Sequence, residues 1–227
     1  MKSKSKALRN IVVFGSILVP FAITLLLSLS LVLIGVLPQV VSQWSSAHFL
    51  IQVSTQASVF LLYVALMVRF VKVDLYYWGG NINPMELILA IFGWVLVSML
   101  ITALVEFIGL DTEQFLEIDF DSLKPTWILF AIATTIIAPI YEEVTYRGFL
   151  LKFFVGKKKP GVWRQVFAAI FTSLIFALVH ESQAWLPVFI LSLYLSALTL
   201  YKKSIMLSII IHSMQNFITV IGIFFID

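Results

Sequence analysis

The chain has no cysteine among its 227 residues, so disulfide frameworks, thiolate nucleophiles and Cys-based metal sites are all excluded. Charge is scarce too. Asp, Glu, Lys and Arg make up 12% of the residues, against 61% hydrophobic, a balance far from that of soluble domains. The formal net charge of +3 does not describe a nucleic-acid surface, because the Lys and Arg sit in short clusters between apolar runs, which is how membrane topology is encoded. There is no internal repeat, soluble domain or low-complexity tail.

What the sequence does have is a series of apolar runs. About 20 helical residues at 1.5 Å each cross the roughly 30 Å of hydrocarbon in a bilayer. Seven segments meet or approach that length: Ile11–Leu37, Phe49–Phe70, Pro84–Leu110, Pro125–Val155, Val166–His180, Trp185–Tyr201 and Ser204–Ile226. The expected fold is therefore an all-α polytopic membrane bundle of about seven helices, with an eighth partial crossing as the alternative. The first run follows a basic head (Lys2, Lys4, Lys6, Arg9) but is too long for a signal peptide and lacks a cleavage site, so it is expected to stay attached. The fourth exceeds one bilayer thickness and contains Pro139, which predicts a kink or an extension into the cytoplasm.

Basic residues set the orientation. With the N-terminus inside, the head, Arg69 and Lys72, the stretch Lys152 to Arg164, and Lys202 with Lys203 share the cytoplasmic side. Only Lys124 falls opposite, beside the acidic connection "DTEQFLEIDFDSLK". The protein is thus expected in the cell membrane as a multi-pass chain with an outside C-terminus. Aromatic residues at Tyr76, Tyr77, Trp78, Trp127 and Trp185 fall where interfacial belts are expected.

Against this background the stretch "APIYEEVTYRGFLLKFF" stands out, because Glu142, Glu143 and Arg147 lie inside a span. Each ionisable group near the bilayer centre costs about 2.5–3.5 kcal/mol on the insertion scale. Glu143 and Arg147 are four residues apart with the acid first, the favourable order for a helical pair. Glu142 points about 100° away from Glu143 around an α-helix, toward other helices. Two of the three histidines also fall in spans, His180 in "FALVHE" and His212 in "IIIHSMQN". Asn216 follows His212 by four residues, and Phe176 precedes His180 by four, so each pair shares a helix face. Counted at 1.5 Å per residue from the nearest cytoplasmic basic residue, Glu142, His180, His212 and Asn216 lie about 14–24 Å deep. A carboxylate and two imidazoles at that depth have the parts for general acid–base chemistry. The plainer readings are two acids sharing Arg147 as packing, and histidines hydrogen-bonded to a neighbouring helix.

The segments "EEVTYRGFL", "FALVH" and "HSMQN" resemble, in order, the EExxxR, FxxxH and HxxxN motifs of the CAAX protease and bacteriocin-processing (CPBP) family, intramembrane glutamic endopeptidases that include the type II CAAX prenyl endopeptidases. The resemblance runs from about Pro125 to Ile226. It divides the chain into residues 1–124, three spans and the acidic outer loop, and residues 125–227, the catalytic core. It implies Glu142 as the catalytic acid/base, His180 as its partner on the water, and His212 with Asn216 as stabilisers of the oxyanion. Glu143, Arg147 and Phe176 are supporting residues. It also implies no cofactor or metal, and a membrane-associated peptide or protein as substrate, with the lipid bilayer as surroundings and no nucleic-acid partner. One departure is Glu181, acidic where an apolar residue is expected after the second motif.

Three rival classes stay open on the residues alone. A zinc peptidase could use Glu142, His180 and His212 as ligands, although the H-E-x-x-H helix is missing. A non-catalytic immunity or scaffold protein could bind a peptide in the same cavity. A proton-coupled transporter would more naturally show repeats and broken helices in matching positions.

The topology is testable directly. Reporter fusions after Lys159 and after Asp227 are expected to report opposite compartments. The same compartment for both would require a crossing to be added or removed.

Overall fold

The computed structural model describes residues 81–110, 127–156, 160–180 and 184–225. Among them every regular element is helical. The expected spans Ile11–Leu37 and Phe49–Phe70 and the acidic loop lie outside the described residues, as do Lys157 to Lys159 and Glu181. Five helical runs fall in the regions expected to be helical. Helix α1 is Pro84–Ile108. The second run is continuous over residues 127–155 but not uniform: α2 (Trp127–Ile132), a π-helical stretch Ala133–Ile137, α3 (Ala138–Glu143), a second π-helical stretch Val144–Leu151, and α4 (Lys152–Val155). Helices α5 (Val162–Leu178), α6 (Trp185–Lys202) and α7 (Met206–Phe225) follow. Of these, α1 and α6 are long and apolar enough to cross a membrane.

The helix ends are written in the sequence. At the start of α1 the Asn83 side chain accepts from the Met85 amide while Glu86 accepts from the Asn83 amide, both at 3.0 Å. This reciprocal box sits beside Pro84 at the first helical position, where a missing N–H removes no bond. The other end closes on Gly109 at φ 68°. There the Gly109 and Leu110 amides return to the carbonyls of Glu106 and Val105, a left-handed stop that glycine adopts without strain. Ser204 begins α7, its hydroxyl accepting from the Met206 amide at 3.2 Å.

The chain forms two compact units. Among the described residues, the first comprises 127–141 and 215–225. Its core is Phe130 and Val220, with Ala131 and Phe224 packed on them. Phe224 meets the Phe130 ring edge-on, with centroids 5.8 Å apart.

The second unit comprises residues 81–110, 142–156, 160–180 and 184–214. Helix α6 packs between α1 and α5. Ala90 and Trp94 of α1 meet Leu195 of α6 and Leu207 and Ile211 of α7. On the other flank Leu151 and Val155 meet Ala168 and Ala169 of α5. The faces are distributed as a bilayer demands rather than as water does. On α5 the exposed side carries Trp163, Phe167, Ile170 and Leu174, while the buried side carries Ala168, Ala169, Thr172 and Ser173. Large apolar groups outside and small or hydroxyl groups between helices are the pattern of lipid-embedded packing. The hydroxyls join helices across these contacts: Ser173 and Ser196 lie 3.4 Å apart, and Thr199 donates to Ser208 at 3.1 Å.

The α1–α6 contact depends on one missing side chain. The Tyr194 hydroxyl donates to the Ala90 carbonyl at 2.6 Å, crossing over Gly93, where an added Cβ would lie 2.7 Å from that hydroxyl. Lys202 and Glu86 close the same interface with an ion pair at 2.7 Å. Gly93→Ala improves helix propensity by up to about 1 kcal/mol but displaces a hydrogen bond of similar net worth. It is therefore expected to be neutral or destabilising in the native chain and stabilising in a Tyr194→Phe background. A double-mutant cycle on detergent-solubilised melting reads this coupling. Additive effects would show that Tyr194 does not depend on Gly93.

Candidate active site

The site is built outward from two adjacent acids whose surroundings differ. Glu143 is completely buried, and Arg147, one turn later, is completely buried as well. Their ion pair is 2.8 Å long, from Nη1 to Oε1. The other terminal nitrogen, Nη2, donates to the Ser192 hydroxyl at 2.8 Å and to the Ser192 carbonyl at 3.3 Å. The guanidinium carbon stands 4.6 Å from the centre of the Phe176 ring, close enough for a cation–π contact. Arg147 is thus held by α6 and α5 as well as by its own helix.

His212 on α7 bridges the two acids. Its Nδ1 lies 2.9 Å from Glu143 Oε1, and its Nε2 lies 3.6 Å from Glu142 Oε2. The Glu143 carboxylate also pairs with Arg147, so Nδ1 is the donor in the shorter contact. That leaves Nε2 directed at Glu142. The longer separation is not itself a hydrogen bond, although catalytic contacts are commonly long before substrate binds. The Glu142 side chain keeps 21% of its surface exposed, whereas Glu143 has none.

His180 stands two residues past the end of α5, which stops at Leu178 rather than running to His180 as expected. Its Nδ1 lies 2.7 Å from the Phe176 carbonyl one turn back. A carbonyl can only accept, so Nδ1 carries the hydrogen and Nε2 is the available acceptor. The Trp185 indole donates to the His180 carbonyl at 2.9 Å, tying the start of α6 to this turn. Phe176 sits at the junction. Its ring is 4.6 Å from that of His180, 6.0 Å from that of His212 and 4.8 Å from that of Tyr146. Both imidazoles and the guanidinium therefore share one buried aromatic neighbour.

The structure thus brings together Glu142, Glu143, Arg147, Phe176, His180 and His212 in the second unit. Asn216, one turn beyond His212 on α7, belongs to the first unit, where its Nδ2 donates to the Thr134 carbonyl at 2.9 Å. Among the described residues no group of three or more His, Cys, Asp or Glu side chains is placed to hold a metal ion. Two features escaped the sequence reading. Ser192 is the cross-helix partner of Arg147, and its only signal was a hydroxyl stripe of Ser192, Ser196 and Thr199 along one face of α6. The other is the shorter of the two His212 contacts, to Glu143, which joins residues 69 positions apart and has no local signal.

Comparison with known proteins places this geometry in a family context. Residues 124–218 match the family model described as Type II CAAX prenyl endopeptidase Rce1-like, so the resemblance read from the three motifs holds over that segment. UPF0177 protein YbdI of Lactococcus lactis subsp. lactis is 34% identical over 106 residues, covering 44% of this chain and 52% of the relative. The chain therefore spans about half the length of this curated relative. No solved structure matches it.

The buried pair sets a stability prediction. Glu143→Gln removes the counter-ion of a fully enclosed guanidinium, and breaking a buried pair costs about 3–5 kcal/mol. The melting temperature is expected to fall clearly, and Arg147→Met added to Glu143→Gln is expected to recover part of the loss. A double variant less stable than Glu143→Gln alone would show that Arg147 is held chiefly by Ser192 and Phe176.

Proposed function

We propose that this protein is an intramembrane endopeptidase, hydrolysing a peptide bond of a membrane-associated peptide or protein with a water activated by Glu142 and His180. The observation carrying the reading is the linked set Glu142, His212, Glu143 and Arg147, formed by motif residues of a segment that matches an endopeptidase family. With Glu143 and Arg147 charged, a proton on either Glu142 or His212 leaves the set neutral. Moving that proton between them changes no net buried charge, so the desolvation cost of an unbalanced ion does not oppose the transfer.

In the proposed reaction Glu142 removes a proton from water, with the free Nε2 of His180 accepting the water's other hydrogen bond. The water oxygen attacks the carbonyl carbon, and the carbonyl electron pair moves onto its oxygen. N–H groups of His212 and Asn216 serve that oxyanion, where one well-placed donor is worth about 3–4 kcal/mol. The proton then passes to the leaving nitrogen as the C–N bond breaks. No covalent enzyme intermediate forms and no metal is required. Glu143 keeps Nδ1 of His212 occupied, so that Nε2 is the nitrogen directed at the reacting groups. A cell-membrane location with a cytoplasmic N-terminus belongs to the same reading, as does a substrate delivered through the lipid.

The test uses the protein in lipid nanodiscs and two internally quenched peptides ending in a CAAX sequence, one S-farnesylated and one not. Cleavage of either supports the endopeptidase reading, and faster cleavage of the farnesylated peptide supports a prenylated substrate. Glu142→Gln is expected to keep normal abundance and melting while turnover falls by about 10²–10⁴-fold, the usual contribution of a general base. A Glu142→Gln protein that cleaves at the native rate would remove the proposed chemistry. Cleavage is also expected to persist in 1,10-phenanthroline, and its loss with recovery on added zinc would assign the reaction to a metal.

A further inference from the structure

Within the first unit, the helix preceding Glu142 contains a break in its hydrogen-bond ladder that a side chain fills. In the π-helical stretch Ala133–Ile137 the Ala138 amide returns to the Ala133 carbonyl, five residues back. The next amide in that register is the one that would serve Thr134. It belongs to residue 139, which is proline and has no N–H. Proline inside a membrane helix is tolerated when local π adjustments and neighbouring side chains satisfy the carbonyls it releases, and here Asn216 does so. Its Nδ2 donates to the Thr134 carbonyl at 2.9 Å, while the neighbouring Thr135 hydroxyl is spent on the Ala131 carbonyl at 2.6 Å.

We infer that Pro139 and the Thr134 carbonyl are positioning groups for the Asn216 amide. An asparagine amide carries two N–H bonds in one plane. Fixing one on an immobile backbone carbonyl fixes the direction of the other. The proline is the reason that carbonyl is available, so a residue that touches no reacting atom orients a donor. The inference rests on the oxyanion role proposed above for Asn216, and it explains why a helix-weakening residue stands three positions before Glu142.

Pro139→Ala separates positioning from structure, because removing an interior proline is expected to leave the helix at least as stable as before. With an alanine amide able to serve the Thr134 carbonyl, Asn216 loses its anchor. On the farnesylated CAAX peptide, kcat is expected to fall by about 10–100-fold, the scale of a misplacement near 1 Å. KM should stay within about twofold, and the melting temperature should be equal or higher. Native kcat in Pro139→Ala overturns the inference, as does a kcat loss accompanied by lower melting. A readout independent of catalysis uses selective ¹⁵N-asparagine labelling, with the Asn216 signals assigned by Asn216→Asp. In the native protein the two Nδ2 hydrogens should exchange at clearly different rates, and in Pro139→Ala the slow one should become fast. Two equally fast hydrogens in the native protein overturn the inference whatever the peptide assay gives. If Glu142→Gln retains cleavage while the exchange result is as expected, the proposed chemistry fails and the positioning of Asn216 stands.

Discussion

An ion pair with no exposed surface on either partner is the constraint around which the second unit is arranged. Neither Glu143 nor Arg147 can be buried alone, since the desolvation of one charge is offset only by an opposite charge and by hydrogen bonds to its remaining sites. Much of the surrounding structure supplies those partners. Ser192 brings α6 to one guanidinium nitrogen, Phe176 brings α5 to its face, and His212 brings α7 to the carboxylate. Three helices converge on one buried dipole, and their small residues allow the approach. A leucine in place of Ser192 would remove the acceptor and hold the backbones apart. Glu142 is accommodated differently: it keeps part of its surface and faces the imidazole that Glu143 holds in place. Adjacent residues of one chemical type thus occupy different surroundings, one enclosed and one partly exposed.

The first unit answers a different demand, that of the backbone. A membrane helix has no water to serve a carbonyl left without its amide, so each such group needs a protein partner. Pro139 creates the problem, the π-helical stretch before it shifts the register, and Asn216 closes it. A polar side chain on an apolar helix, which sequence inspection assigns to chemistry by default, therefore also performs a backbone function. The oxyanion role proposed for Asn216 is compatible with this, because an asparagine amide has two N–H bonds.

Much of this was legible in the sequence. The helical class followed from apolar run lengths, which also put both ends of α1 and the start of α7 within two residues of where they lie. The Glu143–Arg147 pair followed from i,i+4 spacing, which brings side chains together in a π-helix as well as an α-helix. Illegible were the features set by contacts between distant elements. Nothing local to "FILSLYLS" says that Ser192 meets an arginine 45 residues earlier, because a serine in an apolar helix serves equally as a small packing residue. The π-helical register left no trace either, since its side chains are those of any buried helix. Both acids precede the second π-helical stretch, so the reach of His212 to Glu143 as well as Glu142 comes from the approach of α7 and not from a local turn. The partner of Asn216, a main-chain carbonyl, has no sequence signature apart from the proline five residues farther on.

The choice of arginine at position 147 follows from the same geometry. Its guanidinium is used on three sides: one edge to a carboxylate, a second edge to a hydroxyl and a carbonyl, and a flat face to an aromatic ring. A lysine ammonium has charge and donors but neither a planar face nor a fixed fork, and it is more strongly hydrated, so its burial costs more and orders less. With a point charge, Glu143 could rotate about its partner and take the His212 ring with it. The planar fork holds the carboxylate, the carboxylate holds Nδ1, and Nε2 is left facing Glu142. The orientation of the imidazole thus reaches back to α6, at Ser192, three hydrogen bonds away from the ring that faces Glu142.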